Sequence, residues 1–103
     1  MSSDKICIVG VGESDDFGNT PHRSGLALQA QASRNALADA GMAASEIDGL
    51  ITQTGGRMAA LTFAEYFGLN PVFVDSTFIG GASNVAHLDM AAAAIRGGIC
   101  KTV

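Results

Sequence analysis

Apolar residues in this chain fall into two patterns. Some form short continuous runs. Ile6-Cys7-Ile8-Val9 is one, rich in β-branching and stopped by Gly10-Val11-Gly12. Gly49 to Gln53, Pro71 to Asp75 and Ile99 to Val103 are of the same kind. A run this short and this apolar predicts a strand covered on both faces, as in a parallel sheet. Other apolar residues recur at helical spacing. Leu26, Ala30, Ser33, Leu37 and Ala40 share a face, with Ser24 as N-cap and Gly41 as C-cap. Ala60, Phe63, Ala64 and Phe67 share another, on a helix from Ala59 to Phe67 that Gly68 stops. A last helix runs from Ser83 to Arg96 and ends at Gly97-Gly98. Ser45 to Asp48 reads as a short turn, and Gly55-Gly56-Arg57 as a break after the second strand.

The order is β-α-β-α-β-α-β, which argues an α/β fold with a parallel sheet and crossover helices. Right-handed connections predict strand order 3-2-1-4, with the first two helices on one face and the last on the other. Pro71 has no N–H to give a ladder, so the Pro71 to Asp75 strand is expected at a sheet edge. The Ser83 to Arg96 helix is apolar nearly all round, with His87, Asp89 and Arg96 as its strongly polar positions. Such a helix is expected to be buried, with protein on both sides. That requires a layer this chain does not supply, and the fourth strand runs into the last residue. Residues 1–103 are therefore expected to be a partial domain, truncated in that strand.

Composition agrees and excludes several classes. Of 103 residues 48% are hydrophobic and 16% charged, against ~25% charged in ordinary soluble domains. Low charge points to a surface that is normally covered. The net charge is −4 and the six Lys and Arg are scattered, so phosphate-driven nucleic-acid binding is not expected. No apolar run is long enough to span a membrane, and no signal-peptide core precedes the first strand. Cys7 and Cys100 sit in apolar runs at opposite ends of the chain. They are expected to be buried, reduced thiols of a cytoplasmic protein. No Cys/His spacing fits a metal.

Four places hold candidate chemistry. Gly10-x-Gly12 follows a strand, but the third glycine of a dinucleotide fingerprint would fall at Asp15 and the helix starts too late, so a tight turn is expected. Glu13, Asp15 and Asp16 fit no calcium loop. His87 is expected to be a core histidine with a hydrogen-bond partner rather than a base. Gly80-Gly81-Ala82-Ser83 is the most informative stretch. It feeds a helix N-terminus, whose free amides favour negative charge. Whether Ser83 acts on a ligand or only caps the helix is left open by the residues themselves.

In order along the chain, four stretches resemble the N-terminal part of the thiolase superfamily, nearest its sterol-carrier and lipid-transfer branch. They are Ile8 to Ser14 with Phe17-Gly18, and Ala36-Leu37-Ala38-Asp39-Ala40-Gly41. Then come Arg57 to Leu61 leading into Gly68-Leu69-Asn70-Pro71, and Gly80 to Ser83 with Ala91 to Gly98. The resemblance implies a five-layered αβαβα fold of two similar halves, with the Ser83 to Arg96 helix as its buried centre. It implies an acyl-CoA enzyme of lipid metabolism, an acyltransferase or one that makes or breaks carbon–carbon bonds. Thiolases carry a nucleophilic cysteine where this chain has Gly81, so a retro-aldolase is the reading that fits that position. It further implies an oxyanion site at Gly81 and Ser83, with Gly80, Ala82 and Asn84 beside the substrate. Coenzyme A enters as a thioester substrate, with no other cofactor. The partners it implies are a second copy, paired through the Pro71 to Asp75 edge, and a small zinc-ribbon/OB-fold protein. A non-catalytic lipid or acyl-CoA carrier and a structural subunit are the alternatives.

Overall fold

The computed structural model describes residues 5–16, 18–19, 21–22, 24–53, 58–77 and 79–103. The expected break at Gly55-Gly56-Arg57, and Phe17 of the resembling stretches, lie outside them. The chain divides into two compact units, one of Cys7–Ala44 and one that groups the residues up to Ile6 with Ser45–Val103.

The Cys7–Ala44 unit is built on α1, Gly25–Ala40. Its ends are set locally. The Ser24 hydroxyl accepts from the Ala27 amide at 3.0 Å. Gly41 takes a left-handed φ of 69°, and the Gly41 and Met42 amides close the last turn on Ala38 and Leu37. Residues 10–15 lie against this helix. The Val11 amide donates to Asp39 Oδ2 at 3.0 Å and the Asp15 amide to Gln31 Oε1 at 2.9 Å. Asn35 Nδ2 donates to Glu13 O at 2.7 Å and to Asp15 Oδ1 at 2.9 Å. Gln31, Asn35 and Asp39 are four residues apart, so they form one stripe along the helix. The two glycines permit the contact. A Cβ on Gly10 would lie 2.5 Å from Ala36 O, and one on Gly12 2.4 Å from Ala36 N.

The predicted first strand is corrected here. No residue from Cys7 to Val9 joins a ladder, and Ile8 and Val9 are 68% and 61% exposed. Within this unit the segment's neighbour is a helix, whose backbone groups are already bonded internally. Side chains of α1 meet the Val11 and Asp15 amides instead.

The second unit holds a parallel pair, β1 (Gly49–Thr52) and β2 (Phe73–Ser76), in the register Gly49↔Phe73 to Thr52↔Ser76. A short 3₁₀ turn, Ala44–Glu46, precedes β1. The crossover is α2, Ala59–Phe67, whose Ala59, Ala60, Phe63 and Ala64 are buried. Phe63 and Phe67 stack with centroids 5.3 Å apart. Gly68, at φ 82°, ends α2 as predicted. The second and third predicted strands are thus adjacent and parallel, and the sheet of the described residues has these two strands alone.

The fourth predicted run, Ile99 to Val103, is also corrected, because it forms no strand. Asp48 ties it down through its side chain. Asp48 accepts from the amides of Lys101 and Thr102, while Thr102 O accepts from the amides of Asp48 and Gly49. The carboxylate takes up amides that a strand neighbour's carbonyls would otherwise bond. Gly49 makes room for this, since a Cβ there would lie 2.8 Å from Val103 Cγ2 and 3.1 Å from Cys100 Sγ.

The last helix, α3, spans Ser83–Arg96 as predicted, and its covering layer was expected from outside these residues. Ser83 and Ala94 are its buried residues, whereas Val85 and Leu88 are 71% and 55% exposed. Nothing in the described residues covers that outer face.

Candidate functional site

The turn into α3 is where the sequence places its candidate chemistry, and its geometry is set by one carbonyl. Gly80 O accepts three bonds: from the Ser83 amide at 3.1 Å, from Ser83 Oγ at 2.8 Å and from Gln53 Nε2 at 3.2 Å. Ser83 Oγ in turn accepts from the Ile79 amide at 2.7 Å. Gly80 has a φ of 82°, a region that costs other residues about 1–2 kcal/mol, so the turn requires glycine there.

Each predicted site residue has a definite place. Gly80, Gly81, Ala82 and Asn84 are all exposed. A Cβ on Gly80 or Gly81 would meet nothing within 4 Å, so the space beside the turn is open. Ala82 occupies the N-cap position with no side-chain cap bond, leaving the first amides of α3 without side-chain acceptors. Ser83 is 0% exposed, and its hydroxyl proton goes to Gly80 O. It faces inward, and its bonds run back to the turn rather than forward as a cap. Gln53 was not among the sequence candidates. It lies 27 residues from Gly80, and no local pattern marks that pairing.

Among the described residues His87 Nε2 has no hydrogen-bond partner although it is buried and one was expected, and Thr52 Oγ1 is likewise buried without one. Nearby, Thr77 Oγ1 meets Met90 Sδ at 3.5 Å. Among the described residues no group of His, Cys, Asp and Glu is arranged to hold a metal. Gly10 and Gly12 serve packing against α1, and Asp15 bonds Asn35, so a reading of that loop as a phosphate or metal site is unsupported.

The cysteines differ from each other. Both are free, but Cys7 is exposed and Cys100 buried, correcting the expectation that both are buried. Burial foremost, then the charge of Asp48, pushes the Cys100 thiol up. The Thr102 amide foremost, helped by Lys101 and opposed by burial, holds the Asp48 carboxyl below the usual carboxylate range. Asp48 is a second residue the sequence reading missed. Among the described residues no helix is long and apolar enough to cross a membrane.

Comparison with known proteins adds chemistry to this geometry. The chain is 35% identical over 104 residues to 17-hydroxy-3-oxo-4-pregnene-20-carboxyl-CoA lyase of Mycobacterium tuberculosis, covering 100% of this chain and 27% of that protein. It is 32% identical over 97 residues to a steroid side-chain-cleaving aldolase of Thermomonospora curvata, covering 93% of this chain and 25% of the relative. Among solved structures, an Ltp2-ChsH2(DUF35) aldolase superposes with a TM-score of 0.79 at 32% identity, over 90% of this chain and 24% of that one. A monomeric SCP2-thiolase like protein type 1 from Mycobacterium smegmatis superposes with a TM-score of 0.67 at 24% identity, over 88% of this chain and 20% of that one. No family model matches the chain. The chain spans about a quarter of the length of the curated relatives it matches. Its homologues are thus steroid side-chain-cleaving lyases and aldolases, and its fold is that of the matching part of an SCP2-thiolase-like protein.

Proposed function

We propose that residues 1–103 are the N-terminal part of a thiolase-like protein that cleaves an acyl-CoA side chain by a retro-aldol reaction. The observation that carries this reading is Gly81. Similarity to two side-chain-cleaving enzymes runs through the whole chain, and the residue that resembles the thiolase nucleophile position has no side chain to attack with. Acyl transfer through a covalent intermediate at that position is therefore disfavoured.

A β-hydroxyacyl-CoA is the substrate class. A base removes the hydroxyl proton, the bond between the α- and β-carbons breaks, and a ketone leaves. The electron pair passes to the thioester as an enolate, which a proton at the α-carbon then quenches. The exposed turn at Gly80, Gly81 and Ala82, with Asn84 beside it, suits the negative thioester oxygen of that enolate. Ser83 supports the turn from inside. The acid and base belong to parts of the protein beyond these residues. Coenzyme A enters only as substrate.

The finer architecture belongs to the same proposal. The four-stranded order 3-2-1-4 would form in the whole protein, with Ile6 to Val9 and Ile99 to Val103 as its first and fourth strands. The free edge of β2 would pair with a second copy. A ChsH2(DUF35)-like zinc-ribbon/OB-fold protein would be the partner, and the assembly would work in the cytoplasm. The test is incubation of the whole protein with a β-hydroxyacyl-CoA. A ketone and a shortened acyl-CoA in equal amounts support the reading. An unchanged thioester, or free coenzyme A alone, overturns it.

A further inference from the structure

The three bonds on Gly80 O have a consequence for the opposite side of the same peptide. No peptide bond in the described chain is cis. In a trans peptide the carbonyl and the next amide point in opposite directions. Gly80 O is held by Ser83 N, Ser83 Oγ and Gln53 Nε2, so the Gly81 amide of the same peptide is turned to the side away from those three groups.

We infer that Gln53 is a positioning residue for the Gly80–Gly81 peptide, fixing from the end of β1 the direction in which the Gly81 amide is presented. This rests on the retro-aldol reading, in which that amide meets the enolate oxygen. Two of the three bonds come from Ser83, which moves with α3. Among the described residues Gln53 alone ties the peptide to the sheet by a hydrogen bond, immediately after Thr52 at the end of β1. Without it the Gly80 carbonyl keeps its two bonds to Ser83 but loses the one that fixes it against β1, and a glycine pair with no side chains, one of them at φ 82°, adds little stiffness of its own. An oxyanion donor is effective only when its direction is set before the charge forms.

The test uses the whole protein, with Gln53→Leu to remove the donor and Gln53→Glu to keep the shape while replacing the amide donor with a carboxylate. Ser83 is avoided because its loss also leaves the Ile79 amide without its hydroxyl acceptor. Both variants are expected to lower kcat for a β-hydroxyacyl-CoA by about ten- to a hundred-fold, the scale of a small misplacement at a reacting centre. KM is expected to stay within about two-fold and the melting temperature near the wild type, a split that general loss of structure does not give. The Gly80 carbonyl ¹³C resonance is expected to move in both. Wild-type kcat in both variants, or an unmoved Gly80 resonance, overturns the role of Gln53 and leaves the aldolase reading intact. A wild-type protein inert toward the thioester overturns the aldolase reading, and the role with it.

Discussion

Asp48 and Thr102, 54 residues apart, hold each other in both directions. The Thr102 amide donates to Asp48 Oδ1 at 2.8 Å, and the Asp48 amide donates to Thr102 O at 3.0 Å. Lys101 adds its own amide at 3.0 Å from the carboxylate. One side chain thereby anchors the last residues of the chain to the start of β1 and closes them over Cys100.

That clasp predicts an acid-sensitive stability term. The Asp48 carboxyl is held below its usual range in the folded protein, so the folded state favours the ionised form. The contribution is fully present above the unfolded value, about 3.9, and is lost as pH falls through the folded one. Asp48→Ala is expected to cost about 1 kcal/mol at neutral pH, given charged acceptors with partial solvent screening. Urea titrations of both proteins at pH 7 and near pH 2 are expected to show a gap that narrows in acid. A gap independent of pH would remove the carboxylate from the account.

The glycines of the first unit separate packing from backbone entropy. Gly12→Ala puts a methyl 2.4 Å from Ala36 N and 2.6 Å from Ala32 O, both helix backbone that cannot move aside. It is expected to cost about 1–3 kcal/mol and to release the Val11 and Asp15 amides to hydrogen exchange. Gly25→Ala meets nothing within 4 Å at the first residue of α1. It is expected to stabilise by about 0.4–1 kcal/mol. Equal effects from the two would show that residues 10–15 do not rest on α1.

Thiol labelling of native protein is expected to give one fast cysteine and one slow one. Cys7 is exposed, while Cys100 is 4% exposed and its thiol is pushed up by burial. Mass spectrometry of the labelled peptides checks the assignment. Fast modification at Cys100 would mean that the 101–103 segment opens readily and that the Asp48 clasp is weak.

The edge of β2 is tested by a single proline. Phe73 and Thr77 both direct their amides at the β1 side, to Asp48 O and Thr52 O. Strand alternation therefore turns the Val74 amide to the free edge. Val74→Pro is expected to leave the β1–β2 ladder intact while blocking pairing with a second copy. Light scattering of the whole protein is expected to read a dimer for the wild type and a monomer for the variant. Phe73→Pro would instead damage the ladder itself. A Val74→Pro dimer of normal affinity would exclude this edge as the interface.

Incubation with an acyl-CoA, followed by intact mass, is expected to show no acyl adduct on residues 80–84. Gly81 and Ala82 have no nucleophile, and the Ser83 hydroxyl is buried with its proton on Gly80 O. An adduct on Ser83 would require the turn to open and would overturn the account of this site.

The helices were legible because their ends are local events. Ser24, Gly41 and Gly68 stand where the caps form, and α2 and α3 begin and end at the expected residues. A helix bonds its own backbone, so its sequence carries most of what it needs. Strands are different, since each amide needs a carbonyl from elsewhere. Residues 49–52 and 73–76 find each other across one crossover and pair in parallel. Cys7 to Val9 and Ile99 to Val103 have strand composition but meet no strand in the described chain, so side chains of α1 serve the residues just after the first run, and Asp48 serves the second. The same distinction divides the site. A glycine turn ahead of an apolar helix, with no nucleophile at Gly81, follows from residue types and their spacing alone. Only the tertiary structure decided that Gln53 reaches Gly80, because that bond depends on where β1 ends relative to α3, a distance no residue spacing encodes, whereas Ser83 bonds locally to Gly80 and Ile79 and owes its full burial to the packing around that turn.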